Sequence, residues 1–129
     1  MTWTPMRQII PLSNGTLQLN QNSTAFQVGI SNPSEGLVES ICPISGTFKN
    51  LYVASTAPAA GQTLTSTFRV NGSDTALTCT ITGGVSTACN DTTHTAACAA
   101  GQTYSLKTVT SATTGTLTAI PGGVEFDNP

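Results

Sequence analysis

The residues of this 129-residue sequence with the clearest chemistry are its four cysteines, Cys42, Cys79, Cys89 and Cys98. If residues 83–85 form a turn, Cys79 and Cys89 lie directly opposite each other on adjacent strands, within the distance that a disulfide can close. We therefore predict a Cys79–Cys89 bond. A Cys42–Cys98 bond is the second pairing, and free buried thiols are the alternative.

The stretch that contains Cys89, His94 and Cys98, with Cys79 upstream, also has the ligand types of a structural zinc site. Such sites usually include a Cys-x-x-Cys turn, which holds two ligands close together. The sequence contains no turn of that kind. We therefore expect no metal site and no cofactor.

His94 is the only histidine, and Asp91 precedes it by three residues. A Ser-His-Asp hydrolase would also need a nucleophile elbow of the Gly-x-Ser-x-Gly type and an oxyanion-hole loop, and the sequence has no clear example of either. A glycosidase needs two carboxylates that face one cleft, whereas the carboxylates here fall in predicted loops or on outward strand positions. We expect that the protein is not an enzyme and that His94 lies in a polar surface loop. The six carboxylates are Glu35, Glu39, Asp74, Asp91, Glu125 and Asp127.

The elements that position these residues are predicted to be β-strands. Residues 63–70 and 77–82 alternate apolar with polar side chains, and threonines occupy the outward positions. A period of two is typical of half-buried strands. Between the two runs, the Asn71-Gly72 pair supplies the positive φ that a tight reversal requires. The two runs therefore predict a β-hairpin.

A third strand is predicted within residues 46–56. Its apolar positions change phase between Phe48 and Leu51, and a β-bulge near Lys49-Asn50 would bring both onto one face. The whole chain contains about eight to ten such short runs separated by turn signals, and it contains no helical period. The predicted fold class is all-β, an antiparallel β-sandwich of the jelly-roll kind with an extended N-terminal arm.

Residues 1–22 sustain neither a helical nor a strand period, and prolines lie at positions 5 and 11. We assign residues 1–22 to an extended arm and residues 23–129 to a single sandwich domain. An edge strand on the same domain is an equal alternative for the arm. Large apolar side chains in an extended arm predict contacts with other protomers or with a partner. These side chains are Trp3, Met6, Ile9, Ile10 and Leu12.

Composition narrows the class of partner. Charged residues make up only 8% of the chain, and the formal net charge is −2. The four basic residues are scattered, so no basic stripe is available to neutralise a phosphate backbone. No stretch approaches the apolar length of a membrane span, and the N-terminus lacks the pattern of a secretion signal. We expect a soluble protein that binds neither nucleic acid nor membrane.

A family resemblance covers residues 46–126. Its most specific phrases are GTFKNLYV and FRVNGSDTALT, followed by DTTH, AAGQTYSLK and a terminal VEF. These phrases resemble small virion proteins of tailed bacteriophages and prophages, which include capsid decoration proteins, head fibres and tail-fibre tips. The resemblance implies a structural or adhesive β-sandwich, and it carries over no catalytic motif.

The resemblance further implies a capsid decoration, or cement, protein that is made in the host cytoplasm and stabilises the capsid exterior of the virion. The expected partners are the major capsid protein and other copies of the chain, in a homo-oligomer that we expect to be a trimer. A tail- or head-fibre domain that binds a host glycan is one alternative. A carbohydrate-binding module is another, although such modules normally display several coplanar aromatic rings, and the chain has only Trp3, Tyr52 and Tyr104 beside four phenylalanines.

Overall fold

A computed structural model describes residues 6–12, 23–28, 30–55, 60–111 and 120–128. These residues form two antiparallel sheets that pack face to face. The strands are β1 (Met6–Pro11), β2 (Thr24–Val28), β3 (Ile30–Asn32), β4 (Ser40–Ile41), β5 (Gly46–Ala54), β6 (Thr63–Val70), β7 (Ser73–Thr82), β8 (Ala88–Cys98), β9 (Thr103–Thr110) and β10 (Gly122–Asn128). A single 3₁₀ turn, Glu35–Leu37, is the only helical element in this part of the chain. The prediction of an all-β antiparallel sandwich is confirmed.

The two sheets draw on strands from both ends of the chain. The four-stranded sheet has the order β1-β10-β5-β8. The six-stranded sheet has the order β3-β2-β9-β6-β7, and β4 pairs with β9 next to β2. Each pairing between described strands is antiparallel.

The predicted hairpin is the pair β6–β7. Val70 lies opposite Ser73, so the turn consists of Asn71 and Gly72, with φ values of 53° and 76°. Both residues therefore occupy the left-handed region that this kind of turn requires. On the outer face, the hydroxyls of facing threonines lie 3.0 Å apart in two successive cross-strand pairs. The local sequence is enough to produce this element.

The predicted bulge in β5 is also present. The register with β8 shifts between Lys49 and Leu51, and Asn50 has a φ of 53°. The extra residue rotates the strand, so that Phe48 and Leu51 are both buried despite their opposite phase. Asparagine tolerates the left-handed conformation better than most residues, which favours it at this position.

The core fills the space between the sheets and has an aromatic centre. The ring of Phe48 in β5 lies 4.5 Å from that of Phe68, 4.9 Å from that of Tyr104 and 4.8 Å from that of Phe126, between ring centroids. Phe48 and Phe126 belong to the four-stranded sheet, and the other two rings belong to the six-stranded sheet. The aromatic cluster therefore joins the two layers directly.

The extended arm predicted for residues 1–22 is wrong for residues 6–12. Residues 6–11 form β1, which pairs with β10 along its whole length. Leu12 follows the strand, is fully buried, and donates its backbone N–H to the carbonyl oxygen of Gly122 at 2.7 Å. The segment is therefore an edge strand of the sandwich, as the alternative interpretation had it. The rest of the predicted arm, residues 1–5 and 13–22, lies outside the described residues.

Candidate functional site

The structure contains two disulfides, Cys42–Cys98 and Cys79–Cys89, and they account for all four cysteines of the chain. Their Cα atoms lie 6.4 Å and 5.8 Å apart, respectively. These are the two pairings named from the sequence. The three cysteines of the zinc alternative, Cys79, Cys89 and Cys98, are therefore held in disulfides, which removes their thiolates as ligands.

The geometry behind the Cys79–Cys89 pairing differs from the prediction. The sequence argument placed the two residues opposite each other in a hairpin, but β7 and β8 belong to different sheets. The chain turns after Thr82, whose carbonyl oxygen accepts N–H donors from Val85 and Ser86, and then crosses to the other layer. The bond therefore links the edges of the two sheets.

Strand β8 is tied to the opposite sheet near both of its ends. Cys89 lies near the start of the strand and Cys98 at its end. Cys98 bonds to Cys42, which follows β4 on the six-stranded side and is itself held by backbone hydrogen bonds with Gln102 and Gly101. Each disulfide thus resists separation of the two layers at the β8 edge.

Asp91 and His94 do not lie in a loop, which corrects the sequence prediction. Both lie within β8. Leu51 pairs with Asp91, and Lys49 pairs with Thr95, so residues 92–94 stand opposite Asn50 alone. The polar run that resembles a loop is therefore a bulge within a strand, with three residues opposite one.

The carboxylate of Asp91 organises this bulge. Its Oδ1 accepts the backbone N–H groups of Thr93 at 3.0 Å and His94 at 3.1 Å. Its Oδ2 accepts the N–H of Thr78 in β7 at 3.0 Å, and the Nδ1–H of the His94 ring at 2.9 Å. Asp91 is only 7% exposed. One side chain therefore supports its own strand and also bridges to the other sheet.

The hydrogen bonds also determine the charge state of Asp91. Burial raises the pKa of Asp91, but the backbone N–H donors of His94, Thr78 and Thr93, together with the His94 ring, lower it by more. The pKa of Asp91 is consequently well below its ordinary value. The carboxylate is ionised and fully engaged by these donors, which fits a structural clamp better than a proton-transfer group.

Within the residues that the structure describes, no group of three or more histidine, cysteine, aspartate or glutamate side chains is placed to hold a metal ion. Four of the six carboxylates instead pair with Lys and Arg residues in two clusters on the sheet surfaces. In the first cluster, Arg69 contacts Glu35 at 2.8 Å and also Asp74, which in turn contacts Lys107. In the second, Arg7 contacts Glu125 at 2.7 Å and Asp127 at 3.1 Å, and Lys49 contacts both carboxylates.

Sequence reasoning missed both clusters because most of their members are far apart along the chain, although Arg69 and Asp74 are separated by only five residues. The separation between Arg7 and Asp127 is 120 residues. In the first cluster, burial raises the pKa of Glu35, but hydrogen bonds from Arg69 and Ser105 lower it by more. The hydrogen bond from Lys107 is the main cause of a lowered pKa at Asp74. All four basic residues of the chain thus take part in ion pairs.

An apolar pocket of about 100 Å³ lies between β1 and the segment 41–44 that connects β4 to β5. Ile41 and Ile44 at this pocket are 60% and 43% exposed, which is high for large aliphatic side chains. Rings of the aromatic cluster contribute to its lining. The lining residues are Gln8, Ile10, Ile41, Cys42, Pro43, Ile44, Phe48, Tyr104 and Phe126.

The residues predicted for assembly contacts separate into three groups. Leu12 belongs to the core of its own domain, so its assignment to contacts between protomers is corrected. Ile10 lines the pocket, and Ile9 is 81% exposed on the outer face of β1. Trp3 and the side chain of Met6 lie outside the described residues.

Comparisons with known proteins give no indication of a family or a function. No family model, no curated protein and no solved structure matches this chain. Among the described residues, no helix has the length and hydrophobicity needed to cross a membrane.

Proposed function

We propose that this protein is a structural component of a tailed-phage virion, a decoration protein that binds the outer surface of the major capsid protein as a homo-oligomer. The observation that carries the proposal is the strand order. Without the short β3 and β4, eight strands remain, and they pair as β1 with β10, β2 with β9, β5 with β8, and β6 with β7. The first strand thus pairs with the last, the second with the second-last, and so on inward.

This nested pairing is what results when one long antiparallel hairpin rolls up into two sheets. It supports the assignment of the sandwich as a jelly roll, an architecture that recurs in viral capsid and lectin domains. Fold alone does not establish function. The proposal therefore combines the strand order with the phrases within residues 46–126 that resemble virion proteins.

The disulfides support a location on the outside of a particle. Disulfides persist in oxidising surroundings, which include virion surfaces, and are rare in proteins that remain in the cytosol. Here two disulfides tie the β8 edge to the opposite sheet. A protein that must keep its fold outside the cell is stabilised by such cross-links.

The test is to delete the coding sequence from the phage or prophage that carries it and to compare the particles by cryo-electron microscopy. We expect particles that lack the protein to lose density on the outer capsid surface and to break at a lower temperature. Adding the purified chain should restore both properties. Loss of density from the tail, or no loss of density, would contradict a capsid-decorating role.

A fibre domain that binds host glycan is the second candidate, because one aromatic ring lies exposed on a sheet face. Tyr52 is 55% exposed on the outer face of β5, between Gly123 and Asn90 on the neighbouring strands. A ring beside a glycine leaves room for a sugar to stack, and an amide can bond its hydroxyls. This candidate predicts glycan-array binding that is lost in Tyr52→Ala and kept in Val85→Ala.

A further inference from the structure

We propose that Trp3 of a second copy of this chain binds in the apolar pocket between β1 and residues 41–44, so that neighbouring copies exchange their N-terminal segments. The inference rests on the proposed function for the biological role of the resulting oligomer. Its physical basis is independent of that role, and it concerns the purified chain alone.

The chemistry of the pocket selects an apolar, preferably aromatic, side chain. Phe48, Tyr104 and Phe126 contribute aromatic rings to the lining. A further ring that enters the pocket could pack against these rings in the tilted arrangement that Phe48 adopts with Tyr104 and Phe126, whose interplanar angles are 48° and 47°. Ile41 and Ile44 stand at the pocket with much of their surface in water, so an incoming ring would also cover them.

The start of β1 lies close to this pocket. Strand β1 starts at Met6, opposite Asn128. The side-chain amide of Asn128 donates to the carbonyl oxygen of Ser45 at 2.7 Å, next to the segment that forms one wall of the pocket. Five residues precede Met6, and among them is the only tryptophan of the chain. The only tryptophan of the sequence therefore precedes, by three residues, a strand that lines an aromatic pocket.

The residues between Trp3 and β1 favour binding of Trp3 to the pocket of another copy over binding to the pocket of its own chain. Trp3 lies three residues before Met6, a reach of about 10 Å at full extension. To reach its own pocket, which lies alongside Gln8 and Ile10, the chain would have to reverse within that length. Proline has a fixed φ, and the residue before a proline is restricted to extended conformations, so the Thr4-Pro5 pair disfavours the reversal. Exchange of an identical segment between copies requires no new binding surface and is a common route to oligomers.

Tryptophan fluorescence tests the proposal directly, because Trp3 is the only tryptophan. Excitation at the red edge of the absorption band avoids the tyrosines, so the emission reports on Trp3 alone. We expect blue-shifted emission and protection from acrylamide at concentrations where sedimentation shows an oligomer. Dilution to the monomer should shift the emission to the red and remove the protection in parallel.

Ile44→Asp places a charge at the pocket and should weaken association by about tenfold or more, with a red shift of the Trp3 emission. Trp3→Ala should weaken association to a similar extent. The matched control is Val85→Asp, which adds the same charge at a residue that is 82% exposed and does not line the pocket. It should leave both signals unchanged, and circular dichroism should show that all three variants are folded.

Three outcomes would overturn the inference. The first is that Ile44→Asp associates as strongly as the wild type. The second is that the blue-shifted emission persists in the monomer, because Trp3 then binds its own chain. The third is that the protein is a monomer with exposed Trp3 at every concentration. None of them bears on whether the protein decorates particles. A monomeric chain that still decorates capsids would refute this inference alone, and an exchanged oligomer that is absent from particles would refute the proposed function alone.

Discussion

Replacing Asp91 with alanine should destabilise the protein by about 3 kcal/mol, the largest effect of any carboxylate in the described part of the chain. The carboxylate accepts three backbone N–H groups and the His94 ring, and hydrogen bonds to a charged group contribute about 1.5 kcal/mol each, or about 6 kcal/mol together. Hydrogen bonds to one carboxylate are not independent, so their loss together should cost about half of that sum. Asp91→Asn keeps the size and part of the accepting capacity, so it should cost about 1–2 kcal/mol.

The assay is equilibrium unfolding in guanidinium chloride with both disulfides intact, in which a change in midpoint at constant slope reports stability. The matched control is Asp74→Ala, which makes the same change at a side chain that is 47% exposed. Ion pairs of exposed side chains contribute about 0–1 kcal/mol, so this variant should lose less than 1 kcal/mol. Circular dichroism of the folded baselines should show that neither substitution changes the sheet content.

The effect of Asp91 should also depend on pH in a defined direction. The pKa of Asp91 in the folded protein is lowered from its ordinary value, which is about 3.9 in an unfolded chain. Its contribution to stability is therefore complete above that value and decreases as the pH falls toward the folded pKa. The difference in free energy of unfolding between the wild type and Asp91→Asn should narrow below about pH 4. If Asp91→Ala costs no more than Asp74→Ala, or if the difference does not narrow in acid, the clamp interpretation is wrong.

Two further predictions concern covalent and steric features of the fold. Replacing both cysteines of the Cys42–Cys98 bond with serine should lower the free energy of unfolding by about 4 kcal/mol. The same change at Cys79–Cys89 should lower it by about 3 kcal/mol, because the first bond links residues 56 positions apart and the second links residues 10 positions apart. Unfolding of the two double variants measures this, and the reverse order would contradict the loop-entropy argument. Gly46→Ala should cost about 2 kcal/mol, because a Cβ there would lie 2.3 Å from the Phe126 ring. Gly36→Ala, where a Cβ meets nothing within 4 Å, is the control, and equal thermal stability of the two variants would show that the ring moves aside freely.

The features that the sequence determined by itself are those whose causes lie within a few neighbouring residues. The alternation in β6 and β7 defines which face of each strand is buried, because successive side chains point to opposite sides. Asn71 and Gly72 supply the backbone conformation of the turn between them. The change of phase between Phe48 and Leu51 required an extra residue, and Asn50 is that residue. Each of these follows from local stereochemistry and was readable before the fold was known.

Other features depended on which strands meet, and only the tertiary structure decided them. The run that contains Asp91 looks like a loop because its polar residues have no local reason to form a strand. The donor that completes the site is the N–H of Thr78, which lies on the other sheet. The Cys79–Cys89 bond also joins the two sheets and does not lie within one hairpin, because the chain crosses from one sheet to the other between these residues.

The N-terminal segment shows the physical reason for this limit. Residues 6–11 have too short an alternation and too many prolines nearby for the sequence to decide between an arm and an edge strand. Their partner, β10, lies near the opposite end of the sequence. The free energy that holds β1 in place comes from the ladder with β10 and from burial of Leu12 in a core built by distant strands. Local preference is weak there, so pairing between the two ends of the chain makes that segment a strand.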